Sequence, residues 1–338
     1  MTRTSLCGLT IEDISDLAGK GRINIAHSIS ISDSVYKKKI NDIYQFPRIP
    51  KILKEKLSEI AFAGIFDPVA SEESSDGTVK YLFRNEDGLE YETVYLPEKK
   101  RITVCVSTQS GCRMGCHFCL TGRYGFHGNL EARDIVNQVI SLPGAERITH
   151  VVFMGMGEPI DNLENVLRAC RIITSEWGLA ISPRNVTVST VGITNGVIRF
   201  LDESNCNLTL SLHSPFAEER KRIIPAENRH PFRAIIEIMK NSPVIKKRRM
   251  SIAYVMISGV NDSESHLEEL KSMLTGTRIR INLLPYHPLP GDVNISSPDE
   301  KLQYYKHSLV MSGISASVRK SRGVDISAAC GLLASGLE

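Results

Sequence analysis

Three cysteines stand close together in Gly111-Cys112-Arg113-Met114-Gly115-Cys116-His117-Phe118-Cys119, the spacing C-x3-C-x2-C. Three thiolates on one short loop can hold three corners of a four-iron cluster, leaving the fourth iron open to a small molecule. Structural zinc is the competing reading; it wants four closed ligands, and His117 or His127 could supply the fourth. Three inert thiols fit poorly in a loop that also carries Arg113 and His117. The other cysteines are Cys7, Cys105, Cys170, Cys206 and Cys330. The opening residues 1–7 hold no long apolar stretch of a secretory signal, so a disulfide framework is not the first expectation.

The elements that must position this loop read as strand-then-helix units. From residue 102 onward, β-branched runs at 102–107, 148–154, 185–190, 207–212, 249–256 and 278–284 alternate with amphipathic stretches. Helices are expected over 131–141, 162–176, 231–240 and 264–274, the pattern of a parallel sheet. Leu163, Val166, Leu167, Cys170 and Ile173 share one helical face, which makes Cys170 a core residue. Cys206, just before a strand, receives no role. Six units predict an incomplete barrel, whose chemistry belongs at the C-terminal strand ends. Those ends read Ser107-Thr108-Gln109, Gly155-Met156-Gly157-Glu158-Pro159, Ser189-Thr190-Val191-Gly192, Ser211-Leu212-His213-Ser214 and Leu284-Pro285-Tyr286-His287-Pro288. They are small and polar, as a ligand approaching backbone requires.

Residues 1–95 differ. A helix is expected over 49–62, then a hairpin from 78–83 and 90–96, with 71–77 as a solvated loop. This predicts a small α+β domain over 1–95 and a barrel over 96–338, with the boundary near 96–100. Over the whole 338 residues, 42% are hydrophobic and 23% charged, which fits a globular chain rather than a disordered one. No apolar run approaches the roughly 18 residues of a membrane span, so a cytoplasmic protein without membrane contact is expected. Lys+Arg 41 against Asp+Glu 38 gives +3, too mild to signal nucleic-acid binding alone. The basic residues do cluster, at Lys37-Lys38-Lys39, Lys99-Lys100-Arg101, Lys246-Lys247-Arg248-Arg249, and Arg319-Lys320 with Arg322. Each reads first as a solvated face; together they permit an RNA partner.

The cysteine loop after a first barrel strand resembles the radical S-adenosylmethionine (SAM) superfamily. The stretches Cys105-Val106-Ser107-Thr108-Gln109-Ser110-Gly111-Cys112, Phe153-Met154-Gly155-Met156-Gly157-Glu158-Pro159 and Leu210-Ser211-Leu212-His213-Ser214-Pro215 narrow the likeness. With the tail from Val318 to Gly331, they resemble the RlmN/Cfr family of RNA methyltransferases, in order over residues 90–331. The resemblance implies an α/β fold, a partial (β/α)6 radical SAM barrel with a small α+β N-terminal domain that helps to grip RNA. It implies a [4Fe-4S] cluster on Cys112, Cys116 and Cys119 and two SAM molecules per turnover. One SAM methylates Cys330. The second, on the open iron, gives a radical that takes a hydrogen from that methyl, and the resulting carbon radical adds to adenine.

The same resemblance makes Cys105 the partner of Cys330 in a transient disulfide that releases the product, and Glu92 the proton acceptor. Taken alone, Cys105 reads as a buried strand cysteine, Glu92 as a solvent-facing strand residue and Cys330 as a tail thiol. Positions matching SAM contacts are Gly157, Glu158, Ser189, Ser211, Leu212 and His213; a carboxylate and polar strand ends can hold an amino group and a ribose. His213 could otherwise be a structural strand-end histidine. The implied partners are rRNA or tRNA, with the target adenosine unstacked, and an electron donor of flavodoxin or ferredoxin type. The protein is expected to act as a monomer.

Two positions depart from the family pattern. His287-Pro288 stands where Asn-Pro is common, although His287 can still make one hydrogen bond to SAM. Leu332 replaces the usual Gln after Cys330-Gly331. RlmN-type members act at carbon 2 of adenosine and Cfr-type members at carbon 8, with resistance to ribosome-targeting antibiotics. Carbon 2 is the expectation here. Carbon 8 is the alternative, and a non-catalytic RNA-binding protein with a structural cluster is the alternative of another class. The presence of both Cys105 and Cys330, neither needed as a cluster ligand, argues for the enzyme.

Overall fold

A computed structural model describes residues 3–17, 19 and 23–334. One ten-stranded sheet organises the chain. Its first three strands, β1 (Ala70–Glu73), β2 (Val79–Arg84) and β3 (Glu90–Pro97), are antiparallel. Then come β4 (Ile102–Val106), β5 (His150–Phe153), β6 (Val186–Thr190), β7 (Asn207–Ser211), β8 (Met250–Met256) and β9 (Arg280–Pro285). These six run parallel, as the alternating pattern predicts, and a seventh short strand, β10 (Ala316–Val318), adds to β9.

The parallel strands carry two different faces. Val151, Phe153, Val186, Val188, Leu208, Leu210, Ile252 and Ile281 point outward and are buried beneath the helices. Those helices include Ala132–Ile140, Leu163–Thr174, Phe232–Asn241 and Glu264–Leu274, within a few residues of the expected spans. The expected face of the second is seen, with Val166, Cys170 and Ile173 buried. The opposite strand face looks into the barrel and holds mostly polar residues.

Two local readings need correction. Residues 71–73, expected in a solvated loop, form the exposed edge strand β1, paired residue for residue with β2 from Ala70↔Leu82 to Glu73↔Val79. An edge strand wet on both faces needs no apolar alternation, so its sequence reads as loop. The helix expected over 49–62 runs only from Lys51 to Ile60, because Ala61 and Phe62 pair with Thr4 and Ser5.

The sheet is continuous across the turn at 98–101, with Val94 opposite Cys105. Among the described residues no helix is long and apolar enough to cross a membrane.

Candidate active site

The cysteine loop leaves β4 through a short strand, Gln109–Gly111, paired with Phe126–Asn129. Gly111 has φ +73, and a Cβ there would lie 1.7 Å from the Gly125 carbonyl oxygen, so only glycine lets the loop close this tightly. The Cys112 N–H then donates to that oxygen at 2.7 Å. Arg113 secures the outside, 2.9 Å from Asp161 and stacked on Phe126 at 3.8 Å.

Burial raises the thiols of Cys112, to about 12, and of Cys116, and neighbouring sulfurs add to both shifts. Yet among the described residues no three His, Cys, Asp or Glu side chains converge on one metal ion. His117 and His127 are exposed, and the His127 ring turns to the Tyr124 carbonyl. The donor set therefore fits an iron–sulfur cluster better than closed zinc.

Cys330 lies more than 200 positions along the chain from Cys119, and the tail that carries it is clasped at both ends. Upstream, Arg322 donates to the Pro97 and Asp76 carbonyls at 2.5 Å each, and Asp325 accepts from Ser74 Oγ at 2.6 Å. Downstream, the Leu120 N–H donates to Gly331 O at 2.7 Å and Thr121 Oγ1 to Leu333 O at 2.6 Å. Cys330 is reached by solvent, yet the walls around it raise its thiol, and nearby Cys119 adds to the shift. Cys105 is buried, and that burial pushes its thiol far up, with Cys330 contributing. Cys105 and Cys119 thus each lie within electrostatic reach of Cys330.

Beside them, Glu92 is completely buried, not solvent-facing. Pairing of Val94 with both Lys80 and Cys105 sets Glu92, Lys80 and Cys105 on one face of the sheet. Lys80 Nζ stands 3.4 Å from Glu92 Oε1 and 3.7 Å from exposed Glu72. The Ala334 N–H of the tail approaches the Glu92 carboxyl as well and, with Lys80, favours its ionised form. Desolvation raises this carboxyl to about 7 although Lys80 pulls the other way. Leu332 lines a groove of about 570 Å³ next to Lys80 and Glu72.

The SAM-matching positions gather at the strand ends. Ser189 and Ser211 hydroxyls face each other at 3.4 Å with bonding capacity left over. Gly157, at φ +98, sits where a Cβ would meet Gln109 Cβ at 2.6 Å. Glu158 is buried and raised to about 7 by desolvation; its two oxygens accept from the Ile160 and Val191 N–H groups at 3.0 and 2.9 Å. His213, at φ +59, accepts the Val255 N–H on Nδ1 at 2.9 Å, so Nε2 carries the ring proton. Burial and Arg220 push His213 down to about 3, leaving it neutral. Leu212 is fully buried beside it. His287 stands apart, 2.9 Å from Ser321 Oγ, tying the loop after β9 to the tail. Free hydroxyls and a buried carboxylate at one mouth fit an amino acid and ribose.

Several organising residues escape sequence reasoning. Fully buried Arg220 donates to the carbonyls of Val191, Ser211 and Leu212 and pairs with Glu227, locking two strand ends together. Gln138 ties the Ser107 N–H and carbonyl to Thr93. Lys80, Arg322 and Asp325 are further cases. Their partners are distant in sequence, so no local spacing announces them.

Residues 106–270 match the model of the Radical SAM superfamily. A probable dual-specificity RNA methyltransferase RlmN of Parabacteroides distasonis is 40% identical over 98% of this chain and 96% of its own length. The dual-specificity RNA methyltransferase RlmN of Desulfotalea psychrophila is 39% identical, over 89% and 86%. A radical SAM methyltransferase from Sphaerobacter thermophilus, known from its crystal structure, superposes with a TM-score of 0.87 at 35% identity, covering 97% of this chain and 98% of its own.

Proposed function

The chain belongs to the RlmN/Cfr family of radical SAM RNA methyltransferases, and on that footing we propose that it methylates carbon 2 of an adenosine in 23S rRNA or tRNA through Cys330. Its chemistry is that of a SAM-dependent enzyme with an iron–sulfur cluster. The observation that carries the finer reading is the convergence of Cys330 with Cys105 and Cys119 on a tail held at both ends. A tail cysteine without chemistry needs no such clasp. Carbon 2 is favoured over carbon 8 because these curated relatives bear the RlmN name.

Cys112, Cys116 and Cys119 would hold a four-iron cluster, which would supply the electron for reductive cleavage of SAM. The protein's part is to hold methyl and base in line. Ser189, Ser211, Glu158 and Gly157 bind and orient SAM at the strand ends, with neutral His213 beside them and His287 holding the loop after β9 to the tail. Cys330 carries the methyl group of a first SAM, two being used per turnover. Once its methylene carbon is bonded to the adenine ring, the adduct gives up one electron, returned to the redox centre that supplied it, and Glu92 accepts the proton lost from that ring carbon. Cys105 then forms a bond to the Cys330 sulfur. The sulfur–carbon bond breaks, and its electron pair, with a proton, completes the new methyl group on the base. Residues 1–95 help to grip the RNA, 96–338 perform the chemistry as a monomer, and a flavodoxin- or ferredoxin-type donor supplies electrons.

The test is mass spectrometry of nucleosides from rRNA and tRNA of a host lacking its own family member, with and without this protein. A new 2-methyladenosine peak is expected. An 8-methyladenosine peak instead moves the protein to the Cfr side, and neither peak overturns the reading.

A further inference from the structure

The barrel's inner face is hydrophilic over most of its height. Register places Thr103, Thr187, Thr209, Ser251, Asn282 and Ser317 on it. Thr209 and Ser251 hydroxyls lie 2.8 Å apart, and Ser317 donates to Asn282 at 2.9 Å. Closed barrels fill this space with branched apolar layers; here hydroxyl and amide side chains line it, with Thr103, Thr209 and Ser251 buried.

At the N-terminal end of the strands the same face becomes basic. Arg101 lies two residues before Thr103 and donates to its hydroxyl at 3.0 Å. Arg249 lies two residues before Ser251, and Arg280 is paired with Ser251 across the sheet. Arg319 follows Ser317 by two residues and so stands higher, level with Leu284, its N–H donating to Leu283 O at 2.9 Å. Three of these four come from three separate basic clusters of the sequence, and the sheet brings them together. Burial and mutual repulsion lower Arg249 and Arg319: Arg249 feels Arg280 and Arg319, and Arg319 feels Arg101. His150, paired with Thr103, is lowered by burial and by Arg101 and Arg249. Glu98 is the carboxylate that offsets Arg319 and His150, and among the described residues none of the four arginines forms an ion pair. Convergent guanidiniums that Glu98 only partly offsets store repulsion that an external anion relieves, and their planar fork suits phosphate oxygens.

We propose that Arg101, Arg249, Arg280 and Arg319 form a phosphodiester-binding array, on which the backbone of the substrate RNA rests within one nucleotide's reach of Cys330. Arg101 and Cys105 are four residues apart on one strand, about 13 Å at 3.3 Å per residue. An arginine side chain and one extruded nucleotide together span that length. Arg319 joins the two ends, because its charge acts on both Arg101 and Cys330. The inference rests on the RNA methyltransferase reading and adds where the RNA lies.

The experiment measures binding of fluorescently labelled bulk tRNA and fragmented rRNA across a salt series. It uses wild type, Arg249→Gln/Arg280→Gln, the charge-preserving Arg249→Lys/Arg280→Lys, and Lys240→Gln/Lys271→Gln on the outer helices. Each phosphate no longer neutralised should flatten the dependence of log K on log salt by about 0.7–0.9. The glutamine pair should therefore flatten it by about 1.5 and bind roughly tenfold more weakly at low salt. The lysine pair should keep the slope, and the outer-helix pair should match wild type. Because the glutamines remove repulsion, that variant should melt no lower than wild type. An unchanged slope and affinity in it, with wild type binding RNA, overturns the array and leaves the methyltransferase reading standing. Wild type that neither binds RNA nor yields methyladenosine overturns both.

Discussion

The Leu120 N–H donates to the Gly331 carbonyl at 2.7 Å, so the residue after the last loop cysteine holds the residue after the tail cysteine. This hydrogen bond couples the cluster loop to Cys330 directly. Gly331 can make it only at φ +86, where a Cβ would sit 2.9 Å from the Phe118 carbonyl oxygen. Gly331→Ala should therefore cost on the order of 1–3 kcal/mol locally and shift Cys330. Intact mass should show Cys330 methylation falling at least tenfold while the melting temperature drops by only a few degrees. Full methylation in this variant would remove the coupling.

The upstream clasp makes a separate prediction. Arg322→Ala deletes donors to the Pro97 and Asp76 carbonyls but touches neither the cluster loop nor the C-terminal ends of the parallel strands. Limited proteolysis should then cut within the tail, and diamide should form the Cys105–Cys330 disulfide more slowly than in wild type. Iron content should stay at the wild-type level.

Glu92 sets the pH behaviour. Its carboxyl is raised to about 7 by desolvation, and only its ionised form accepts a proton. Release of methylated RNA should therefore rise with pH through about 7 and vanish in Glu92→Gln. Stability runs the opposite way. The folded state holds this proton more tightly than the unfolded chain, so the contribution is complete below the ordinary carboxylate range and is lost as pH climbs to about 7. The loss is roughly 3 kcal/mol, with Glu158 adding one of the same sign. Denaturant titrations at pH 5 and pH 8 should show the drop, smaller in Glu92→Gln.

Lys80 opposes that desolvation from 3.4 Å. Lys80→Met leaves Glu92 without its cation and should move the rise in product release alkaline by about 1–3 pH units. A pH profile of single-turnover product release reads this shift, which a merely structural defect would not produce.

The cysteines divide by failure mode. Cys112→Ala should lose iron and the visible absorbance of the reconstituted protein. Cys105→Ala should keep both and accumulate protein covalently joined to RNA, seen as a slow band on denaturing gels. Free methylated product without the adduct would remove Cys105 from the release step.

Short-range features were legible in the sequence by itself. Cys112, Cys116 and Cys119 must share one loop because so few residues separate them, and β-branched runs alternating with Leu163–Thr174-like helical faces dictate a parallel sheet. Motif order added the family and, with it, roles for Cys105, Cys330 and Glu92. Tertiary structure alone decided what lies beside what. Strand register buries Glu92 against Lys80, folds the polar run 71–73 into an edge strand, and gathers Arg101, Arg249, Arg280 and Arg319 on one inner face. Hydrogen bonds from the Leu120 N–H and the Arg322 side chain bring Cys330 to Cys105 across more than 200 residues. The physical reason is range. Propensity and periodicity act over one or two turns of chain, whereas sheet pairing fixes neighbours whose separation in sequence carries no signal of contact.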